Sequence, residues 1–208
     1  MQIIVFGASG TTGKEITRQA LALNYHVRAF VRDARRLSEL EHEKLEIVTG
    51  DVLNADHVAA AIKGVDAVVC ALGAGRKGIV RAQGTKNIIE GMRRNNVERL
   101  ICQSTLGAGD SRQNLNFFWK RIMFGWFLKE AYNDHQLQEQ FVERSGLEWT
   151  IVHPAALVKG DKTGKYYHGF SPAFKKITSK ISIADTAEFM ISQITSSEYL
   201  YRRPGLSY

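Results

Sequence analysis

Only two cysteines, Cys70 and Cys102, occur in 208 residues, and both sit in apolar stretches, GVDAVVCALG and RLICQST. Thiols so placed act as small hydrophobes, so neither a disulfide framework nor a cysteine-built metal site is expected. Proline is scarce, with three residues, and no Pro/Gly/Ser-rich linker or fixed-period repeat divides the chain. There is no 18-residue apolar run, and Met1-Gln2 leads directly into IIVFG without a charged leader. The expectation is therefore no signal peptide, no spanning helix and a cytoplasmic location. The six histidines, at 26, 42, 57, 135, 153 and 168, lack HExxH or any paired-ligand spacing, and no GxSxG elbow occurs. Metal-dependent hydrolysis and serine acyl transfer are set aside.

What is present is an ordinary core-forming composition, 44% hydrophobic with 18 glycines, sized for one globular domain over 1–208. The formal charge is +7, from 28 basic and 21 acidic residues. The cations are scattered: Arg28, Arg32, Arg35 and Arg36; Arg93, Arg94 and Arg99; Lys175, Lys176 and Lys180. No basic-aromatic module surrounds them, so nucleic acid is not the expected ligand, and a small polyanion is a more economical partner.

Short β-branched runs alternate with helical patterns, which predicts a doubly wound parallel α/β sheet. The strand candidates are 3–7, 26–31, 45–50, 66–72, 99–104 and 148–154. Between the first two, Ile16, Ala20 and Leu23 stand on one face of a helix over 13–23, Asn54 opens the next helix, and Asn95-Asn96 closes one that begins near Arg81. The segment 114–129, NLNFFWKRIMFGWFLK, breaks the rhythm with a broad apolar stripe. It fits packing on the sheet or in a subunit interface such as a homodimer's, a lid over a pocket, or a membrane surface; the first is preferred and membrane contact is not expected.

The strongest chemical signal is VFGASGTTGKEI, in which a strand runs into Gly7, Gly10 and Gly13 and then a helix. The first glycine permits a tight turn, the second lets backbone approach a pyrophosphate, and the third allows close helix-to-strand packing. Amides of residues 10–13 would meet phosphate oxygens at a helix N-terminus, where the peptide dipoles favour negative charge. The second strand ends in FVRD, where a dinucleotide site needs an acid for a ribose 2′-hydroxyl or a base for a 2′-phosphate. Arg32 and Asp33 compete, and Arg36 decides: two guanidinium groups match a phosphate, which predicts NADP rather than NAD. After the third strand, Asp51 and Val52 can meet the adenine edge, or Asp51 can cap the following helix.

GASGTTG, FVRD, GDVLN, ALGAG and ERSGLEWTIVHP together resemble the atypical short-chain dehydrogenase/reductase proteins, in the NmrA-like and flavin reductase (biliverdin reductase B) branch. The resemblance implies an NAD(P)-binding Rossmann fold with Gly7, Ser9, Gly10, Thr11 and Thr12 at the pyrophosphate, beside Gly13 of the same loop. It implies Arg32 and Arg36 at the 2′-phosphate, Asp51 and Val52 at adenine, and Leu72 and Gly73 beside ribose and nicotinamide. Ser104, ending the fifth strand, resembles the family's active-site serine, and His135 in Asn133-Asp134-His135 resembles a histidine of the flavin reductase branch. The Tyr-x-x-x-Lys pair of the wider superfamily is absent, which argues against simple ketone or epimerase chemistry.

Two functions follow. One is an NADPH-dependent oxidoreductase passing a hydride to a delocalised small-molecule acceptor, such as flavin, quinone or a bilin, with Ser104 donating a hydrogen bond and His135 relaying a proton or binding an anionic group. The other is an NmrA-like sensor that binds NADP(H) without turnover. Residues 105–130 and 155–180 are expected to cover the substrate side; the loop 159–169 either closes over substrate with Tyr166, Tyr167 and His168 or is simply solvated, and no roles are assigned within it. His153 can line the cleft or be a packed, hydrogen-bonded histidine; both readings remain open at this point.

Overall fold

Gln2–Phe6 (β1) contributes Ile3 and Val5 to one face of a sheet and Ile4 and Phe6 to the other, and all four are fully buried. A strand covered on both faces reads as a continuous apolar run, as parallel strands with crossover helices must. The computed structural model of the chain describes residues 1–73, 80–106, 129–170 and 177–208.

From β1 the chain passes through the helix Thr11–Ala22 (α1) to His26–Val31 (β2), a 3-10 turn at Ala34–Leu37, and Leu45–Thr49 (β3). It then crosses through Ala55–Ile62 (α2) to Ala67–Cys70 (β4), Val80–Arg94 (α3), Arg99–Gln103 (β5), Lys129–Glu143 (α4) and Glu148–Pro154 (β6). Last come Ala156–Val158 (β7), Tyr167–His168 (β8), Lys180–Ser182 (β9), Ile183–Ser192 (α5) and Gly205–Ser207 (β10). The main sheet has the order β3-β2-β1-β4-β5-β6-β10-β8, parallel except for β8, which runs antiparallel to β10; β7 and β9 pair separately. This is the expected doubly wound α/β sheet, with the six anticipated strands in place. The additions β7 to β10 are two or three residues long, too short to carry a readable alternation.

Two cores result. Ile3 and Val5 join Ile16 and Ala20 of α1 and Ala187 and Phe189 of α5, while Ile4 and Phe6 join Val58, Ile88 and Val142 from α2, α3 and α4. Truncating a fully buried side chain such as Ile4 to alanine costs about 2–5 kcal/mol, because the cavity adds to the lost transfer energy. Helix starts are fixed locally. Asn54 Oδ1 accepts from the amides of Asp56 and His57, at 3.0 and 3.1 Å, and Ser182 Oγ accepts from Asp185 N at 2.9 Å. Asp51 is not the cap of α2; its Oδ1 accepts from Leu53 N in the turn before Asn54.

The connections leave β1 and β4 in opposite directions, so a crevice opens beyond their carboxyl ends, where ligands bind in sheets of this kind. Cys70 and Cys102 face each other across β4 and β5 as free, fully buried thiols.

Candidate functional site

The crevice holds a cavity of about 570 Å³. Its floor begins at Gly7, whose φ of +82° turns the chain sharply out of β1; a Cβ there would lie 2.3 Å from the Ala71 carbonyl oxygen. A glycine is therefore the residue this turn admits. Gly13 answers the same constraint from the helix side, since its Cβ would lie 2.1 Å from the Gly7 carbonyl oxygen. Gly13 is absent from the cavity wall, and its place is the close contact between α1 and the loop; Gly7, Ser9, Gly10, Thr11 and Thr12 do line it.

Unlike α2 and α5, α1 has no side-chain cap: Gly10 stands at its N-cap and no acidic residue lies in its first turn. A helix start leaves amides without intrahelical partners, and here they open onto a cavity. The arrangement suits phosphate oxygens.

Along the same wall lie Arg32, Arg36, Asp51 and Val52. Asp33, the competitor of Arg32, accepts hydrogen bonds from Arg35 at backbone N, Nε and Nη2, at 3.1, 2.9 and 2.9 Å, and is not on the wall. Neither Arg32 nor Arg36 makes a side-chain hydrogen bond among the described residues, so both guanidinium groups are available. Leu72 and Gly73 continue the wall at the end of β4.

At the far end are Ser104, His135 and Arg81. Ser104 Oγ donates to Glu139 Oε1, and His153 Nε2 meets the same oxygen at 2.9 Å. Glu139 and His153 are both nearly inaccessible, and neither touches the cavity, so His153 is a packed histidine and not a cleft residue. Burial pushes the Glu139 carboxyl up, but the hydrogen bond and attraction from His153, with Ser104, outweigh it and hold the group below its ordinary value. Sequence reasoning thus missed Arg81, read there only as the start of a helix, and Glu139. The signal for Glu139 was available: it lies one helical turn after His135 on α4, on the same side.

Ser104 has a single proton and spends it on Glu139, so toward the cavity it has acceptor capacity only. This reverses the expected donation from Ser104. His135 Nδ1 lies 3.4 Å from Ser104 Oγ, and for that contact Nδ1 must carry the proton, leaving Nε2 as an acceptor. Burial and the Arg81 charge push His135 down to about 4, so the ring is neutral at pH 7.

Of the anticipated cover, Thr105 and residues 155–157 line the cavity. Residues 159–170 do not. Thr163 and Gly164 donate to Asp185, Tyr166 donates to Glu188 at 2.5 Å, and His168 pairs with Tyr199 at 2.8 Å, which holds the loop against α5 and the segment after it. The aromatic segment 114–128 and Lys175 and Lys176 lie outside the described residues. No group of three or more metal-ligating side chains and no helix long and apolar enough to cross a membrane occurs among the described residues.

A glycine turn at the switch point of a doubly wound sheet, an open helix start and free arginines on one wall define a dinucleotide-binding protein. A family described as NAD(P)H-binding matches residues 7–197, and the chain belongs to that family. Among relatives, the chloroplastic protein TIC 62 of Pisum sativum is 27% identical over 236 residues, covering 99% of this chain and 41% of its own. The chain spans 30% to 61% of the length of the plant proteins of this group that it matches. The fold matches ChuY, described as an anaerobillin reductase from Escherichia coli O157:H7, with a TM-score of 0.82 and 23% identity over 100% of this chain and 97% of that one. It also matches a short-chain dehydrogenase/reductase from Veillonella parvula in complex with NADP, with a TM-score of 0.84 and 15% identity over 100% and 94% of the chains.

Proposed function

We propose that the protein is an NADPH-dependent reductase that delivers a hydride to a delocalised acceptor of the flavin, quinone or bilin type. The observation that carries this reading is one cavity with two free arginines at the nucleotide end and the Ser104–His135 pair at the other. In it Gly7, Ser9, Gly10, Thr11 and Thr12 hold the pyrophosphate, and Arg32 and Arg36 take the 2′-phosphate by charge-assisted, forked hydrogen bonds. Asp51 and Val52 meet the adenine, and Leu72 and Gly73 flank the ribose and nicotinamide. Gly13 supports the loop from behind.

Bound NADPH supplies the hydride. The protein's own part is placement, since neither Ser104 nor neutral His135 offers an acid toward the cavity at pH 7. An acceptor that spreads incoming charge over a conjugated system needs no proton at the moment of transfer, whereas a simple ketone does. Ser104 Oγ and His135 Nε2, both acceptors, suit ring N–H groups or the carboxamide of the nicotinamide. The relatedness in fold to a protein named as an anaerobillin reductase, and to one crystallised with NADP, agrees with this reading.

A second reading, an NADP(H) sensor without turnover, is favoured by two observations: the serine proton is locked into a buried carboxylate, and no Tyr-x-x-x-Lys pair exists. NADPH oxidation by the purified protein, followed with FMN, biliverdin and simple quinones beside a binding titration, separates the two. Turnover with one acceptor is the expected result. Tight binding without turnover across the panel replaces the reductase by the sensor, and absence of binding removes both.

A further inference from the structure

Arg81, at the start of α3, is 92% buried by its residual exposure of 8%, and it lines the acceptor end of the cavity beside Ser104 and His135. A guanidinium has five donor hydrogens, and burying one is costly unless they are matched. Among the described residues the Arg81 guanidinium makes a single hydrogen bond, from Nη1 to Asp134 Oδ2 at 3.4 Å, and Nε, sealed from solvent, has no partner. Asp134 does not depend on that contact. Its two oxygens accept from the first-turn amides of α3, Arg81 N at 3.2 Å and Ala82 N at 2.9 Å, so it serves as a cap supplied by α4. Asp134 therefore fixes one corner of the guanidinium through Nη1, Nε is sealed away, and Nη2 is left without a partner among the described residues. On a residue that lines the cavity, Nη2 is the charged donor left for one oxygen of a carboxylate.

We propose that Arg81 is an anion anchor at the acceptor end, so that the molecule taken there carries a carboxylate on its conjugated system. The assignment of that molecule as a hydride acceptor rests on the reductase reading; the carboxylate site does not. The groups facing it are Asp134, whose charge is met by the α3 amides and Nη1, and the neutral ring of His135. The buried carboxylate of Glu139 lies behind Ser104, turned toward His153.

The test uses 2-naphthoate and its neutral isostere 2-naphthamide, titrated into the full-length protein with and without saturating NADP+, with NADPH affinity and melting temperature measured on the same samples. Wild type is expected to prefer naphthoate, and R81Q to bind it roughly 10- to 100-fold more weakly with naphthamide unchanged, as for loss of a charge-assisted pair. R81K keeps the charge beside Asp134 without the second terminal nitrogen, which provides a variant with the buried pair retained, and it is expected to lose most of the preference. A purely structural ion pair would lower the melting temperature and leave the naphthoate-to-naphthamide ratio alone. Equal binding of the two probes, no naphthoate binding, or an unchanged ratio in both variants overturns the proposal. Loss of NADPH binding by wild type would instead strike the reductase reading, and an Arg81-dependent naphthoate preference would still stand.

Discussion

The two ends of the cavity are built on opposite plans. The nucleotide end is assembled from neighbours in sequence, the Gly7–Gly13 loop and the Arg32–Arg36 turn, and its polar groups are left open: an uncapped helix start and two unengaged guanidinium groups. The acceptor end is assembled from α3, β5, α4 and β6, and its polar groups are largely spent on one another, Ser104 on Glu139, Glu139 on His153, Asp134 on the start of α3. An open end is a site for a ligand of fixed chemistry, whereas a self-satisfied end holds a shape and a dielectric. Arg81 departs from that plan among the described residues, since its Nη2 on a cavity-lining side chain has no partner and is a charged donor for a ligand group.

If that contrast is right, acid should weaken the acceptor end through His135, whereas the two arginines of the nucleotide end do not titrate in the accessible range. His135 is held near 4 in the folded chain, below its ordinary 6.5. Between those values the unfolded chain binds a proton that the folded chain refuses, so stability is complete above 6.5 and declines as pH falls toward 4. The lowered carboxyl of Glu139 works at lower pH, contributing above its ordinary 4.5 and being lost as pH falls through its folded value. The window between 6.5 and 5 thus isolates His135, with an expected loss of about 2 kcal/mol. Urea unfolding at both pH values should show that loss in wild type and a flatter response in H135Q; an equal loss in both would assign the acid sensitivity to another group.

The nucleotide end is sharpened by R32A and R36A. Each is expected to weaken NADPH binding roughly 10- to 100-fold while leaving NADH unchanged, because a charge-assisted hydrogen bond to the 2′-phosphate is lost and nothing else. Fluorescence titration with both nucleotides decides. Equal losses would mean that the arginines serve the common part of the dinucleotide, and the engagement of Asp33 by Arg35 would have no bearing on NADP selection.

The same division explains what could be read from the sequence. The loop glycines, Arg32 with Arg36, and strands such as β1, β4 and β5 announce themselves because each is a local constraint: a turn that excludes Cβ, a pair four residues apart, an apolar run covered on both faces. Glu139 and His153 are 14 residues apart and meet only because α4 packs over β6, and Ser104 reaches them from β5. A histidine before Pro154 carries no local mark of whether it faces a cleft or a carboxylate. Likewise β8, with two exposed residues, exists through its pairing with β10 and has no pattern of its own.

The smallest effect tests whether an open helix start is a property of function and not of folding. Asn54 caps α2 with two hydrogen bonds and lies off the cavity wall, whereas Gly10 caps α1 with none and lies on it. N54A should cost about 1 kcal/mol of stability, the ordinary worth of such a cap, and leave NADPH affinity at the wild-type value. α1 goes without that contribution, and what it retains in exchange is a set of amides free for phosphate. NADPH should therefore raise the melting temperature of wild type and N54A by the same increment, since the ligand stabilises the folded state only through its own affinity. A smaller increment in N54A would mean that the α2 cap and the phosphate loop are coupled through Asp51, and that the two helix starts are not independent after all.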